Sequence, residues 1–147
     1  MLKINELHAN EDFNETLSRN EFVDFLYSHL DQFRDPKEQI EACLDYSFSR
    51  AEGKGGFVLA GFYDHKLAGG LIMVDTGMTG YIPEHYLVYV AVDASLRGKG
   101  IGAEIIRYGV NKARGNVALH VEYDNPAKRL YERLGFTSKY AEMRYKK

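Results

Sequence analysis

LVYVAVDASLRGKGIG, the stretch from Leu87 to Gly102, decides the fold of this chain. Its first half is an apolar run that predicts a strand ending at Asp93, and its second half is rich in glycine. Residues 103–114 then predict a helix. A strand therefore leads through a glycine-rich loop into a helix whose first amides have no acceptor within the helix. Such amides and the positive end of the helix dipole favour an anion, typically a phosphate.

The spacing of the loop glycines narrows the kind of phosphate ligand. A P-loop would need a GK[ST] triplet, which this segment lacks. A dinucleotide fingerprint, G-x-G-x-x-G/A, matches at Gly98, Gly100 and Ala103, with Glu122 about twenty residues later. Against it, five residues separate the apolar run from the first glycine, and only 45 residues follow Gly102 for further βαβ units. A surface loop that is merely rich in glycine is the third interpretation.

A second motif, NPAKRLYERLGF at residues 125–136, follows the next predicted strand. Asn125 suits the N-cap of a helix, Pro126 its first position, and Gly135 the position after its end. Together the two motifs resemble the GNAT superfamily of acyl-CoA-dependent N-acetyltransferases. The segment RGKGIG is similar to the Q/R-x-x-G-x-G/A loop with which that family binds a pyrophosphate. The second motif is similar to the family's cofactor-side helix.

The resemblance covers residues 87–136 and implies roles for individual positions. In the loop, the defining positions are Arg97, Gly100 and Gly102. In the helix, the matching residues are Asn125, Ala127, Tyr131, Gly135 and Phe136. The resemblance also implies that the pantetheine arm of acetyl-CoA lies between two strands that splay apart. The implied cofactor contacts are Val90, Ala91, Val92, Arg97, Gly98, Lys99, Gly100, Ile101, Gly102, Asn125 and Tyr131.

The rest of the chain agrees with the fold that this resemblance implies. Periodicity and turn signals predict strands at 1–8, 57–63, 67–74, 85–93, 117–123 and within 136–145. They predict helices at 11–33, with a break near Asn20, and at 35–52, 102–114 and 125–135, with Asp35 as the cap of the second helix. The order β-α-α-β-β-β-α-β-α-β predicts an α/β (α+β) protein with a mixed, mostly antiparallel sheet and helices on both faces.

The length, charge and cysteine content of the chain limit the class of protein that it can be. A chain of 147 residues, of which 45% are hydrophobic, is expected to form one packed domain over residues 1–147. The net charge of −2 gives no reason to expect nucleic acid or an anionic membrane as a partner. Cys43 is the only cysteine, and no apolar segment reaches the length of a leader or a membrane span, so we expect a cytoplasmic protein. Acetyl-CoA is the implied cosubstrate, no metal is expected, and a homodimer is compatible with the sequence.

Tyr131 is the candidate general acid, because the resemblance places it at the position of the family's acid. A phenol and the departing thiol have ordinary pKa values of about 10 and 8.5, which are close enough for a useful proton transfer. The spacing of Tyr131 from Ala127 and Leu134 equally suits a residue on the buried face of a helix. Both interpretations stay open.

Three interpretations of the general base are open. Many members of the family carry a glutamate five residues before the Ala91 position, where this chain has Tyr86. Glu84 lies two residues earlier on the same face of the predicted strand, so it is the first candidate for a catalytic base. His120 on the next strand is the second candidate, and a reaction without a dedicated side-chain base is the third interpretation.

The acceptor is implied to bind between the helices at 20–50 and the loop at 76–86. Seven acidic residues against three basic ones in the first segment favour a cationic amine, such as a polyamine or a lysine side chain, although a solvated helix face explains them equally. Two functions therefore remain. One is an N-acetyltransferase that moves an acetyl group from acetyl-CoA to a primary amine of a small molecule or peptide. The other is a non-catalytic acetyl-CoA-binding domain.

Overall fold

The computed structural model describes residues 1–147 and contains a five-stranded sheet with four α-helices. The strands are β1 (Leu2–Leu7), β2 (Gly56–Tyr63), β3 (Lys66–Asp75), β4 (His85–Val92) and β5 (Val117–Leu119). The helices are α1 (Arg19–His29), α2 (Lys37–Ser47), α3 (Ile101–Lys112) and α4 (Ala127–Arg133). None of them combines the length and the apolar character that crossing a bilayer requires.

The strands lie in chain order across the sheet. The first three pairs are antiparallel, and β4 pairs with β5 in parallel. A tight turn at Asp64 and His65, with φ of +50° and +66°, joins β2 to β3. The parallel pair needs a longer crossover, which α3 supplies. The mixed, mostly antiparallel sheet with helices on both faces, predicted from the sequence, is confirmed.

Each face of the sheet carries its own apolar core. On one face, α1 and α2 bury Phe22 and Ile40 completely. On the other face, α3 buries Ile105 completely and α4 adds Tyr131. We call these the α1/α2 face and the α3/α4 face. Burial of one large apolar side chain contributes about 1.5–3 kcal/mol, so several such residues per face hold the helices firmly on the sheet.

A one-residue bulge interrupts β4 at Val88. Tyr89 pairs with Ile72 of β3 and Leu87 pairs with the next residue, Met73, so Val88 has no partner of its own. Because of the extra residue, side chains that would share one face of a regular strand lie on opposite faces before and after Val88. Leu87 packs in the core of the α3/α4 face, whereas Tyr89, two residues later, packs in the core of the α1/α2 face. Because a bulge also increases the local twist, the course of β4 changes at this residue.

The first two helices are shorter than predicted. α1 begins at Arg19 because Ser18 caps it: the Ser18 hydroxyl accepts a hydrogen bond from the Glu21 amide at 3.1 Å, and the Ser18 amide donates to the Glu21 carboxylate at 3.0 Å. The prediction that Asp35 caps α2 is wrong. Its carboxylate instead accepts a hydrogen bond from the Tyr89 hydroxyl at 2.5 Å, which joins the segment before α2 to β4.

No strand forms after β5, so the last strand of the predicted order is wrong. The strand predicted at 117–123 pairs with β4 only over Val117–Leu119, and residues 136–145 contain no strand. β5 is therefore a strand of three residues at the edge of the sheet. Residues 137–147 are accordingly exposed.

Candidate active site

A groove of about 1020 Å³ opens where β4 and β5 part. Pairing between the two strands ends at Leu87 and Leu119, so the β4 edge from Val88 to Val92 has no strand partner on the side of β5. The groove is lined by residues from both faces of the sheet. An open backbone edge binds an extended ligand as it would bind an added strand, provided that the ligand carries amide groups.

On the α3/α4 side, a glycine loop leads into α3. Gly98 and Gly100 have φ of +84° and +78°, a left-handed conformation that strains any residue with a Cβ. The first hydrogen bond of the helix runs from the Glu104 amide to the Gly100 carbonyl at 3.1 Å, so the amides of residues 101–103 have no acceptor in the helix. No side chain caps this start. The loop thus offers free amides at the positive end of a twelve-residue helix, which suits a phosphate.

His29, the last residue of α1, holds this loop in place. The Ala94 amide donates to His29 Nδ1 at 3.1 Å, and the Arg97 guanidinium donates to the His29 carbonyl at 2.9 Å. The Arg97 side chain therefore caps the C-terminal end of α1 while its backbone begins the loop. Sequence reasoning missed this role of His29, because a single histidine at a helix end belongs to no motif.

All predicted cofactor residues except Lys99 line the groove. The Lys99 ammonium lies instead 6.0 Å from the centre of the Tyr63 ring. Arg107 and Arg133, which neither motif singled out, also line it. These two arginines add positive charge on the α3/α4 side, and positive charge complements a phosphate ligand.

Tyr131 belongs both to the core and to the groove. Its side chain is 9% exposed, packs in the α3/α4 core, and has its ring centre 5.9 Å from that of Phe136. Burial, with a smaller contribution from the Glu122 carboxylate, raises the pKa of Tyr131 to about 12. The phenol therefore keeps its proton at neutral pH. The core and the general-acid interpretations are compatible, since the same residue lines the groove.

Asn125 caps α4 as predicted. Its Oδ1 accepts a hydrogen bond from the Ala127 amide at 2.9 Å, and its Nδ2 donates to the Glu122 carboxylate at 3.3 Å. Pro126, between them, already has helical dihedral angles. Asn125 also lines the groove, so a contact with the cofactor arm stays a prediction that its position permits.

Glu84 does not line the groove, and the prediction that it is the general base has no support from the geometry. Its carboxylate accepts hydrogen bonds from the Gly80 amide at 3.0 Å, the Asn116 amide at 2.7 Å and the Thr79 hydroxyl at 2.9 Å. These donors, the Gly80 amide most of all, lower the pKa of Glu84 to about 2. A carboxylate of such low basicity is a weak proton acceptor. Its three bonds instead join the loop before β4 to the start of β5.

Tyr86 and His120 line the groove where the two strands part. Tyr86 occupies the position at which the family resemblance implies a glutamate, and burial raises its pKa to about 12. The His120 ring packs edge-on against the Tyr86 ring, with 5.0 Å between centroids and 81° between planes. The sequence allowed His120 only as a second candidate, since the parallel pairing that brings it beside Tyr86 has no local signal.

The α1/α2 side of the groove is acidic. Asp31 and Asp35 line it, whereas the nearby cations Arg34 and Lys37 lie outside it over the ring of Tyr27, at 4.3 and 5.2 Å from the ring centre. The loop before β4, which the resemblance implied as the other wall of an acceptor site, does not line the groove. The segment between α1 and α2 thus brings two aspartates to the groove, whereas α3 and α4 bring Arg107 and Arg133.

A family model described as "Acetyltransferase (GNAT) family" matches residues 14–136, a range that includes the glycine loop, the open edge of β4 and α4. The chain belongs to the GNAT acetyltransferase family. The fold class and the family that the two sequence motifs predicted are therefore confirmed.

Solved structures share the fold of this GNAT protein over nearly its whole length. A ribosomal-protein-alanine N-acetyltransferase from Brucella melitensis biovar Abortus 2308 superimposes with a TM-score of 0.68 at 21% identity, covering 99% of both chains. An aminoglycoside N-acetyltransferase in complex with CoA superimposes with a TM-score of 0.66 at 16% identity, covering 100% of this chain and 95% of the other. Identities this low establish the fold alone.

A curated relative matches part of this GNAT protein more closely in sequence. A mycothiol acetyltransferase from Corynebacterium glutamicum (strain R) is 38% identical over 71 residues. The match covers 44% of this chain and 24% of the relative, so the chain corresponds to about a quarter of that protein's length.

Proposed function

We propose that the protein transfers the acetyl group of acetyl-CoA to a primary amine of a small molecule or peptide, directly, while both are bound. The observation that carries this proposal is the parting of β4 and β5 after Leu87, which leaves a backbone edge open inside the groove. The edge suits an arm that contains amides, and the free amides of α3 suit a diphosphate. Acetyl-CoA has both groups in one molecule.

The residues of the groove fit this cosubstrate. Along β4, the proposed contacts are Val90, Ala91 and Val92, which act through the main chain. In the loop, nothing lies within 4 Å of the positions that a Cβ on Gly98 or Gly100 would take. A diphosphate can therefore approach the amides at the start of α3 closely.

Transfer of an acetyl group from a thioester to an amine requires a neutral amine, stabilisation of the negative charge on the carbonyl oxygen, and a proton for the departing thiolate. Acetyl-CoA supplies the activated acetyl group. The open main-chain edge of β4 offers N–H donors to polarise the carbonyl oxygen. Tyr131 donates to the departing sulfur, since its phenol is protonated at neutral pH. The amine must lose a proton before it attacks, and neither Glu84 nor Tyr86 is suited to accept it.

A non-catalytic acetyl-CoA-binding domain is the second candidate function. One observation favours it: Tyr86 stands at the position of the family's glutamate, and Glu84, the carboxylate two residues before it, is engaged outside the groove. The fold and the glycine loop would then serve binding alone.

Steady-state release of thiol with acetyl-CoA and a panel of primary amines separates the two functions. Turnover above the amine-free rate is expected. Binding of acetyl-CoA at 1:1 stoichiometry in calorimetry, without turnover of any amine, would support the binding domain. Tight binding of NAD in place of acetyl-CoA would contradict both functions.

The proposal also covers the domain organisation, the location and the partners of the protein. Residues 1–147 form one N-acetyltransferase domain that works in the cytoplasm without a metal, a nucleic acid or a membrane as partner. The single Cys43 supports a reducing compartment, and burial raises the pKa of its thiol to about 12, which makes it unreactive at neutral pH. A homodimer stays an expectation, which analytical ultracentrifugation would test.

A further inference from the structure

A histidine stands where the proposed reaction needs a proton acceptor. His120 directly follows β5, and Leu119, the residue before it, is the last to pair with β4. His120 therefore lies at the level of the bulge at Val88, where the groove opens. It is exposed and lines the groove, so both water and a ligand can reach its ring.

His120 faces the acidic side of the groove. Tyr86 pairs with Ala118, and alternation along a strand places His120, two residues further, on the same face as Tyr86. The contact between the two rings agrees with this placement. Leu87 packs in the α3/α4 core, so its neighbour Tyr86 points to the α1/α2 face. The imidazole thus lies across the sheet from the glycine loop, on the side of the aspartates.

Other proton acceptors in the groove are engaged or poorly matched to the task. His29 accepts a hydrogen bond from a loop amide, Asp35 from a tyrosine hydroxyl, and Glu122 from the Asn125 side chain. A carboxylate, with an ordinary pKa near 4, is also a weak acceptor for the proton of an ammonium. The ordinary pKa of an imidazole lies near neutrality, so an imidazole is a better acceptor. For the His120 ring, the structure records only the packing against Tyr86.

We propose that His120 is the general base of the acetyl transfer and that Tyr86 positions its ring; this role rests on the proposed function. The acceptor's ammonium gives one proton to the imidazole, and its nitrogen then bonds to the acetyl carbon as the carbon–sulfur bond breaks. Tyr131 gives its proton to the sulfur and regains one from the nitrogen. His120 releases its proton to water, so each cycle yields the amide, the free thiol and one proton.

Charged groups of several elements line the groove that this ring enters. Asp31 and Asp35 lie on the segment between α1 and α2, and Glu122 follows β5. Arg144 of the C-terminal segment lines the groove, and its guanidinium is paired with Glu142. The carboxylates attract the ammonium that the imidazole must deprotonate.

The test compares the parent with His120→Ala and His120→Gln over a range of about pH 6 to 9. At pH 7 the kcat/KM for the amine should fall ~100-fold in both variants. It should recover toward pH 9, because an alkylammonium with a pKa of about 10.4 then supplies more free amine. Added imidazole should restore part of the activity of His120→Ala, and the KM for acetyl-CoA should not change.

Two further variants act as controls. His65→Asn removes an exposed histidine on the β2–β3 turn, outside the groove, and asparagine accepts its φ of +66°, so parental kinetics are expected. Tyr86→Ala removes the ring that contacts His120 and should lower kcat, and the conservative Tyr86→Phe, which keeps the ring, should lower it less.

The outcomes that overturn the proposal are distinct. A parent without turnover of any amine would overturn the proposed function and this role together. An active parent whose His120→Ala variant keeps its turnover would overturn this role alone. Lost activity without imidazole rescue and with an unchanged pH profile would show that His120 is structural. A Glu84→Gln variant that alone loses the dependence on pH would return the base to Glu84.

Discussion

Replacing Gly100 by alanine separates the strain of the glycine loop from its contact with a ligand. Gly100 has a φ of +78°, and nothing lies within 4 Å of the position of an added Cβ, so the variant meets backbone strain without a clash. A non-glycine residue in this conformation costs roughly 1–2 kcal/mol. For a chain of this size, that lowers the Tm by about 2–8 °C.

Gly53, after α2, provides a matched control for this variant. Its φ is +79°, and nothing lies within 4 Å of its Cβ position either. Gly53 does not line the groove. The variant Gly53→Ala therefore introduces the same strain at a distance from the proposed diphosphate site, and it should lower the Tm by a similar amount.

Only Gly100→Ala should weaken the binding of acetyl-CoA. An added methyl group at this position moves a diphosphate away from at least one free amide of α3. A hydrogen bond to a charged group contributes about 1.5–3 kcal/mol, which corresponds to roughly 10- to 150-fold in Kd. Isothermal titration calorimetry measures this difference directly. A parental Kd for Gly100→Ala would refute the placement of the diphosphate at this loop, and equal weakening in both variants would assign the effect to stability alone.

Three other substitutions test separate parts of the structure. Tyr131→Phe should lower kcat ~10- to 1,000-fold with little change in stability at neutral pH, and parental turnover would leave Tyr131 as a core residue only. The pKa of Tyr131 is raised to about 12, so the stability that its neutral phenol contributes is complete below about pH 10 and is lost as the pH rises through about 12. In urea unfolding, the free energy of unfolding of Tyr131→Phe should therefore fall less than that of the parent over this pH range. Glu84→Gln should lower the hydrogen-exchange protection factors of the two amides that the carboxylate holds. In the parent these factors should fall as the pH falls from 4.5 through about 2, and unchanged protection in the variant would contradict the holding role. Gly56→Ala should lower the free energy of unfolding by about 3 kcal/mol, because the φ of Gly56 is +148° and the added Cβ would lie 2.0 Å from the Met73 carbonyl oxygen. An unchanged free energy of unfolding in urea would refute this.

The parts of the site that the sequence predicted correctly depend on local signals. The apolar run of β4, the glycines after it and the amphipathic α3 follow one another within a single stretch, and each has its own physical signature. The start of α4 is equally local, since Asn125 and Pro126 both favour it. These segments carry the family motifs, and they also form the α3/α4 side of the groove.

The parts that could not be predicted depend on contacts between distant segments. Glu84 is engaged by the amide of Asn116, which is 32 residues away, and no pattern around Glu84 indicates such a donor. Asp35 is bound to Tyr89 rather than to its own helix for the same reason. The bulge at Val88 has no sequence signal, because valine is an ordinary strand residue.

The bulge in β4 decides which side of the groove each residue of the strand lines. Before Val88, an even-numbered position, Tyr86, points to the α1/α2 face, and after it an odd-numbered position, Tyr89, does. Val90 and Val92 belong to the opposite core, beside the cofactor loop. A substitution at position 89 would therefore alter the α1/α2 side of the groove, whereas one at position 90 or 92 would alter the side of the glycine loop. One strand in this way presents two surfaces to the groove, and a substitution on one of them leaves the side chains of the other in place.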